Sequence, residues 1–193
     1  MAMRNSSGHN RQLWVLTAVG KDQPGIVAPV TKLLFDLGCN LQDSAMTRLG
    51  GEFAIMLLFS APSSVTEGRL SEATEPLSKR LGLAIHIKTL SRAEASAKPT
   101  GRPYQICVYG ADRAGIVFRI SELLAKRRVN ITDVSTHRTA PPGGRSALPL
   151  YLMLLEVEVP KRLDAAGLEK QLRTLARDLG VEVTIRSAET LVL

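Results

Sequence analysis

Apolar residues near the start of the chain follow first the pattern of a strand and then that of a helix. A short apolar run over residues 13–19 ends at Gly20, which is typical of a β-strand that runs into a turn. The apolar positions after that turn recur with the 3.6-residue period of one helix face. They are Ile26, Val27, Val30, Leu34 and Leu37. The sequence therefore predicts a first strand followed by an amphipathic helix.

Three further strands and a second helix complete the pattern. A strand over residues 40–48 leads to Gly50 and Gly51, a dipeptide that suits the tight turn of a β-hairpin. The third strand, which starts at Phe53, is apolar at almost every position, and the last strand alternates over residues 83–87. The second helix is clearest in the other half of the chain, where leucines recur at helical spacing at positions 168, 172, 175 and 179.

The chain contains this pattern twice. Shifted by 90 positions, residues 19–48 match residues 109–138 with ten identities in thirty positions. Beyond Arg48 the shift becomes 98, and residues 53–62 then match residues 151–160. The eight additional residues of the second copy fall within residues 139–149, where Pro, Gly and Ser predict an enlarged loop. The identities are Gly20/Gly110, Asp22/Asp112, Gly25/Gly115, Ile26/Ile116, Val27/Val117, Leu33/Leu123, Leu34/Leu124, Asn40/Asn130, Asp43/Asp133 and Arg48/Arg138.

Each copy predicts the element order β-α-β-β-α-β, which is the ferredoxin-like plan of two helices on one face of an antiparallel sheet. The fold class is therefore α+β, with two such domains in tandem. We predict a disordered N-terminal tail over residues 1–12, a first domain over residues 13–90 and a second domain over residues 104–190. Residues 91–103 contain no apolar residue larger than Ala and are interpreted as the linker.

The third strand is apolar on both of its faces, and one of these faces needs a partner. In the first copy residues 53, 55 and 57 point one way and residues 54, 56 and 58 the other, and all six are apolar. Two helices cover only one face, so we expect the other face to meet another copy, within the chain or across a homodimer. Partial exposure, with long edge side chains folding over the face, is the alternative.

Composition and charge exclude several classes of protein. The chain has 193 residues, of which 45% are hydrophobic and 22% charged, a balance typical of globular domains. Its longest apolar run, residues 53–61, is far shorter than the roughly 18 to 20 residues of a membrane span. The two cysteines lack CxxC spacing, and the first dozen residues lack the apolar core of a secretory signal. We therefore expect a cytoplasmic protein without a membrane partner. The net charge of +7 permits an acidic partner without requiring one.

The loop that joins the first strand to the first helix is the candidate site. It runs from Gly20 to Gly25 in the first copy and from Gly110 to Gly115 in the second. A glycine at a helix entrance allows another group to approach the backbone. The free N–H groups and the positive end of the helix then favour an anion such as a carboxylate. An aspartate in the loop and an asparagine after the helix add groups that suit a free α-amino acid.

A purely structural interpretation of the same residues stays open at this point. In that interpretation the aspartates cap their helices, the second glycines relieve packing between strand and helix, and the asparagines only turn the chain. The residues concerned are Asp22, Gly25 and Asn40 and their second-copy equivalents Asp112, Gly115 and Asn130.

The pattern Asp-x-x-Gly-Ile-Val, then an apolar helix, then Asn-Leu/Ile-x-Asp, present twice, resembles the ACT domain family. The resemblance covers about residues 13–187. It implies the β-α-β-β-α-β fold and the binding of small ligands, usually amino acids, at domain interfaces. Two ACT domains with an enlarged loop in the second are similar to the family of the glycine cleavage system transcriptional repressor.

The resemblance also implies which residues contact the ligand. ACT domains that bind amino acids do so through the first strand–helix loop and the start of the second strand. In the first copy these positions are Asp22, Gln23, Pro24, Gly25, Ile26, Asn40, Leu41 and Asp43. In the second copy they are Asp112, Arg113, Ala114, Gly115, Ile116, Asn130, Ile131 and Asp133. Because the pair Gln-Pro becomes Arg-Ala, we expect that one site is degenerate or that the two sites prefer different ligands.

The function implied by the resemblance is that of a non-enzymatic, amino-acid-sensing regulatory protein. It would act through protein–protein contact, with glycine or a similar small amino acid as effector. The candidate surfaces for a regulatory protein or enzyme partner are the loop over residues 139–149, with Arg145, and a basic helix face. That face comprises Arg119, Lys126, Arg127 and Arg128. A solvated loop and a solvated helix face are the alternative. The resemblance also allows a regulatory module that binds an enzyme of amino-acid or one-carbon metabolism.

The residues argue against two other classes of function. RNA-recognition domains share the element order, but the third strands here lack their basic-glycine-aromatic motif and aromatic residues make up only 4% of the chain. No direct contact with nucleic acid is therefore expected. An acylphosphatase-like enzyme is the second alternative, because residues 115–119 faintly resemble the anion-binding turn of those enzymes. The three histidines have no nucleophile or metal-ligand spacing, so we predict no catalytic residue, no metal and no cofactor.

Overall fold

The computed structural model describes residues 11–96, 99–139 and 149–188, which form two compact units. The division between the units falls inside residues 91–103. The two units contain the same strands and long helices in the same order, as a duplicated domain requires.

The first unit has the order β-α-β-β-α-β and is followed by a single turn of helix. Its four strands form one antiparallel sheet in the order β2-β3-β1-β4. The elements are β1 (Gln12–Lys21), α1 (Val27–Asp36), β2 (Asn40–Leu49), β3 (Glu52–Ala61), α2 (Glu67–Leu81), β4 (Leu83–Leu90) and α3 (Arg92–Ala95).

The second unit repeats this arrangement. Its antiparallel sheet has the order β6-β7-β5-β8, so the first and third strands are central in both units. The predicted tandem ferredoxin-like fold of class α+β is confirmed. The elements are β5 (Gly101–Ala111), α4 (Ile116–Lys126), β6 (Asn130–Thr139), β7 (Leu150–Pro160), α5 (Ala165–Leu179) and β8 (Val181–Ser187).

The core of each unit lies between the sheet and its two long helices. In the first unit Trp14, Leu16 and Ala18 of β1 are buried together with Val30 and Leu34 of α1. The strand residues are two apart and the helix residues four apart, so each set falls on one face of its element. The second unit has an equivalent core beneath α4 and α5.

The sheet face that points away from the helices is more accessible to solvent. In the first unit Val19 is 42% exposed and Met56 52%, whereas Phe53 and Leu57 on the helix side are 3% and 1% exposed. The predicted alternation of the third strand is thereby confirmed. That another copy of the domain covers the open face stays a prediction.

The first domain starts earlier than predicted. Arg11 and Gln12 were assigned to the tail, but Gln12 begins β1. The Arg11 guanidinium donates hydrogen bonds to the Ser60 hydroxyl (3.0 Å) and the Ser60 carbonyl (2.9 Å), which fix the beginning of the strand. Residues 1–10, and residues 140–148 of the predicted loop with Arg145, lie outside the described residues.

Two parts of the predicted linker form regular structure. Ser91 and Glu94 make a reciprocal capping box that starts α3, a local interaction which needs no apolar residue. β5 begins at Gly101 rather than at residue 104, because Gly101 to Pro103 pair with β7. The run of small and polar residues in the sequence therefore extends beyond the linker into the first strand of the second unit.

Candidate functional site

Each unit has the predicted loop between its first strand and first helix. Residues 20–26 are called entrance one and residues 110–116 entrance two. Both loops leave the strand at a glycine that packs tightly against the last strand of the sheet. A Cβ at Gly20 would lie 2.6 Å from the carbonyl oxygen of Gly82, and one at Gly110 would lie 2.8 Å from the nearest atom of β8. This close approach sets where each entrance begins.

A backbone hydrogen bond holds each entrance in the same place. The Asp22 N–H donates to the Gly51 carbonyl and the Asp112 N–H donates to the Pro149 carbonyl, both at 2.9 Å. Gly51 belongs to a tight hairpin turn and Pro149 is the last residue of the predicted enlarged loop, so the acceptors come from different surroundings. The backbone geometry of the two entrances is nevertheless equivalent.

The second glycine of each entrance is required by backbone conformation and not by packing. Gly25 has φ +89° and Gly115 has φ +91°, values that side-chain-bearing residues rarely adopt. A Cβ at either position would meet no atom within 4 Å. The interpretation that these glycines relieve strand–helix packing is therefore wrong. The open space beside each glycine is accessible to another molecule.

The helix that follows each entrance starts without a side-chain cap. The N-cap residues are Ile26 for α1 and Gly115 for α4, and among the described residues no side-chain cap hydrogen bond is present at either helix start. The interpretation that Asp22 and Asp112 cap these helices is therefore wrong. Uncapped N–H groups at the positive end of a helix form a site for an anion such as a carboxylate.

The two aspartates instead pair with arginines of the neighbouring strand. Asp22 lies 3.3 Å from Arg48 of β2, and Asp112 lies 2.7 Å from Arg138 of β6. The aspartates are about 30% exposed and the arginines about 70%, so each guanidinium has an open side towards solvent. Sequence reasoning did not include the arginines among the site residues. Their identity between the two copies was the signal that pointed to them.

The residue after the aspartate reaches the end of the second helix in both units. The Gln23 side chain donates a hydrogen bond to the Leu81 carbonyl (3.1 Å). The Arg113 guanidinium lies over Gly180, 2.8 Å from where a Cβ of that residue would stand. Gly180 ends α5, and a cation at a helix C-terminus is favourable because that end is negative. Pro24 and Ala114 have no side-chain polar group and complete the loops.

Entrance two has a polar neighbour that entrance one lacks. The Tyr151 side chain of β7 lies near Thr136 of β6 and the Asp112 carboxylate. Burial, and secondarily the negative charge of Asp112, raise the pKa of Tyr151 above its usual value, and the Thr136 hydroxyl partly offsets that rise. The equivalent first-unit residues are Phe53 and Met46, which have no hydroxyl group.

The remaining predicted ligand residues lie at the opposite end of each sheet, here called the far end. β2 runs from Asn40 to Leu49, and Arg48 near its end is the partner of Asp22. The eight residue-to-residue steps from position 40 to position 48 span roughly 26 Å at about 3.3 Å each. One unit therefore does not bring the entrance and the start of the second strand together. The residues at the far ends are Asn40, Leu41 and Asp43 and their equivalents Asn130, Ile131 and Asp133.

The predicted basic helix face divides between two places. Arg119 and Lys126 line a groove of about 570 Å³ between α4 and α5, where Lys126 also pairs with Glu122 at 3.0 Å. Arg127 donates a hydrogen bond to the Gln171 side chain, whereas Arg128 lines a different cavity at the far end. Arg128 thus lines a different cavity from the one that Arg119 and Lys126 line.

Two kinds of feature are absent from the described residues. Within residues 11–96, 99–139 and 149–188 no helix has the length and apolar character needed to cross a membrane. In the same ranges no group of three or more His, Cys, Asp or Glu side chains is arranged to hold a metal ion.

Comparison with protein families identifies the repeated unit. The family model described as the ACT domain matches the chain twice, over residues 12–88 and 103–186. The glycine cleavage system transcriptional repressor of Escherichia coli (strain K12) is 32% identical over 173 residues, which cover 89% of this chain and 87% of that protein. The chain is therefore similar to that repressor along nearly its whole length.

Two solved structures have the same fold over more than nine-tenths of the chain. A protein of unknown function from Galdieria sulphuraria superposes with a TM-score of 0.79 and 26% identity, covering 92% of this chain and 99% of that one. A protein described as a candidate glycine cleavage system transcriptional repressor has a TM-score of 0.69 and 22% identity, with 93% and 98% coverage. Because the sequence identity to this second structure is only 22%, the similarity supports the fold alone.

Proposed function

The chain belongs to the ACT domain family, with two ACT domains in tandem, and we propose that it is a regulatory protein that senses a small amino acid. Its similarity to the glycine cleavage system transcriptional repressor supports a role in regulating that system, with glycine or a similarly small amino acid as effector. Regulation would proceed through contact with a protein partner in the cytoplasm and not through nucleic acid.

The observation that carries this proposal is the open, uncapped helix start in each unit. A free amino acid has a carboxylate, and the first-turn N–H groups of α1 or α4 are donors without a side-chain acceptor. Arg48 or Arg138 adds a cation with an open side. The carboxylate of Asp22 or Asp112 provides an acceptor for the ligand ammonium. Open space beside Gly25 and Gly115 suits a ligand with a small side chain or none.

The far-end residues would join the site when a second molecule is present. β2 is an edge strand, and three of its apolar side chains are exposed, Leu41 at 44%, Met46 at 61% and Leu49 at 77%. Antiparallel pairing of β2 with β2 of a second molecule would cover these side chains and the unpaired strand edge. Centred between residues 44 and 45, that pairing sets Asn40 opposite Leu49 of the other molecule. Asn40 would then lie beside the other molecule's entrance one.

A homodimer of this kind explains how ligand binding is transmitted. A ligand shifts an equilibrium between arrangements only by its differential affinity for them. An amino acid held by residues of two molecules binds the paired arrangement alone, so the ligand stabilises pairing. A protein partner that recognises only one arrangement would then respond to the concentration of the amino acid.

Titration calorimetry of the full chain against each of the twenty amino acids tests the proposal. We expect saturable binding of glycine or another small amino acid. The double variant R48Q/R138Q should weaken that binding at least tenfold, which corresponds to about 1.4 kcal/mol. R69Q provides the matched control, because Arg69 is an exposed arginine of α2 and should leave affinity unchanged. Absence of binding by all twenty amino acids at millimolar concentration would contradict the sensing function.

A further inference from the structure

The far ends of the two units differ in charge, although their backbones are equivalent. In the first unit this end is closed by Arg11. Its guanidinium donates to the Gly38 carbonyl (2.9 Å), the Ser60 carbonyl (2.9 Å) and the Ser60 hydroxyl (3.0 Å). The Arg11 guanidinium thus makes three hydrogen bonds within the unit.

The second unit has no side chain in the place of Arg11. The equivalent residue is Gly101, and a Cβ there would lie 2.8 Å from the Val159 carbonyl oxygen, so no larger residue fits. A cavity of about 280 Å³ is present at this end. Glu158, which replaces Ser60, lines the cavity and accepts a hydrogen bond from the Thr100 N–H (3.3 Å).

Three cations line this cavity where the first unit has small neutral residues. Arg128 stands in the place of Gly38, while Lys161 and Arg162 stand in the places of two serines, residues 63 and 64. Within the described residues, none of the three has a carboxylate within salt-bridge distance. Like charges gathered around one cavity repel each other, and an anion placed among them removes that repulsion.

Arg128 also has an unfavourable backbone conformation. It is the one non-glycine residue in the described ranges with a positive φ, +56°, at a position where the first unit has glycine with φ +69°. A glycine would fit this turn more easily. The second unit has an arginine there instead, and this residue lines the cavity.

From this charge arrangement we propose that the far end of the second unit is a binding site for a phosphate group, carried by a small molecule or present as free phosphate. Guanidinium groups bind phosphate oxygens in a two-point geometry, and the lysine adds a third positive charge. The Asn130 side chain, which lines the same cavity, adds an amide donor. The single carboxylate, that of Glu158, leaves the lining with a net positive charge.

This site is separate from entrance two. β6 begins at Asn130 in the cavity, and Arg138, the partner of Asp112, is eight residues further along the strand. That separation is roughly 26 Å at about 3.3 Å per residue. Within one unit the phosphate site therefore shares no residue with entrance two.

A nuclear magnetic resonance titration of the full chain with inorganic phosphate tests the proposal, with chloride at matched ionic strength as the reference. We expect saturable shifts of the backbone amides at residues 128, 130 and 162 with phosphate and not with chloride. The variant R128G/K161S/R162S places the first-unit residues around the cavity. It should weaken phosphate binding at least tenfold, and glycine at position 128 suits the positive φ, so the variant should fold.

A charge-matched control separates this site from general attraction to a basic protein. R69Q/R80Q/K88Q removes three exposed cations from the first unit and should leave phosphate affinity unchanged. Glycerol 3-phosphate is titrated in parallel. Equal or tighter binding of this ester identifies a phosphate-bearing metabolite as the ligand class, and binding of inorganic phosphate alone identifies the free ion. Equal weakening by both triple variants, or shifts that chloride reproduces, would overturn the proposal.

Discussion

Entrance one and entrance two have the same backbone but different side chains around it. In each, a positive-φ glycine precedes an uncapped helix and an aspartate pairs with an arginine from the adjacent strand. In entrance one the neighbouring positions hold Phe53 and Met46. In entrance two they hold Tyr151 and Thr136, which both have hydroxyl groups. The position of the positive charge also differs, because entrance one has Lys21 and Gln23 where entrance two has Ala111 and Arg113.

This comparison separates what makes an entrance a site from what makes it selective. The backbone groups, which are the same in both, favour any carboxylate. The side chains, which differ, decide what the rest of the ligand touches. Entrance one has the buried Phe53 and the exposed Met46, and entrance two has hydroxyl groups at the same positions. We therefore predict that the two entrances rank amino acids differently, with the more polar ligands preferring entrance two.

Valine at the second glycine should produce the largest effect. A β-branched residue at φ near +90° strains the backbone by about 2 kcal/mol, and its side chain would fill the open space beside the helix start. We expect Gly25→Val to abolish amino acid binding at entrance one alone, and Gly115→Val at entrance two alone. Calorimetric stoichiometry measures the loss and urea unfolding measures the strain.

The matched control for that prediction is Gly25→Asn. Asparagine adopts positive φ more readily than valine and should cost less free energy of unfolding. Full ligand affinity in both valine variants would mean that the entrances are not the binding sites.

Exchange of the aromatic residues should have a smaller effect, confined to ligand preference. Tyr151→Phe removes the hydroxyl from entrance two, and Phe53→Tyr adds one to entrance one. We expect the first change to weaken binding of polar amino acids about tenfold while altering the free energy of unfolding by about 1 kcal/mol. Competition calorimetry with serine and alanine measures the preference. An unchanged serine-to-alanine ratio in Tyr151→Phe would show that the hydroxyl does not touch the ligand.

The smallest effect concerns the pH dependence of stability. The folded chain holds the proton of Tyr151 more tightly than the unfolded chain, because burial raises the pKa of this group. The contribution of Tyr151 to the free energy of unfolding is complete below the usual tyrosine pKa of about 10. It is lost as pH rises above that value. The free energy of unfolding of the wild type should therefore fall more steeply than that of Tyr151→Phe between pH 9.5 and 11. Parallel curves in urea unfolding would contradict this assignment.

Most of the fold could be predicted from the sequence because it depends on short-range periodicity. The spacing from Ile26 to Leu37 specified the first helix, and the alternation in β3 specified which residues face the helices. The repeat established two equivalent domains without any knowledge of their contacts. The wrong predictions concern where the first domain and the linker begin and end. The hydrogen bonds of Arg11 join residues 49 positions apart, and no local pattern predicts such a pair.

The candidate site was predicted less completely than the fold. Glycines and aspartates of the entrances were found, since they occur at the same place in both copies. The roles of these residues were not predicted. Whether an aspartate caps a helix or pairs with an arginine depends on which group lies across the loop. Arg48 and Arg138 come from a strand that sequence places 26 positions after the aspartates, and only the sheet brings them together.

The sequence by itself determined that this protein is a duplicated α+β domain with two glycine-containing helix entrances. Hydrophobic periodicity and turn residues are properties of neighbours along the chain, so they can be read without coordinates. The tertiary structure decided that each aspartate pairs with an arginine, that the asparagines lie at the far end, and that three cations surround a cavity in the second unit alone. These facts depend on strand register and on contacts between distant segments, which the free energy of the whole domain selects.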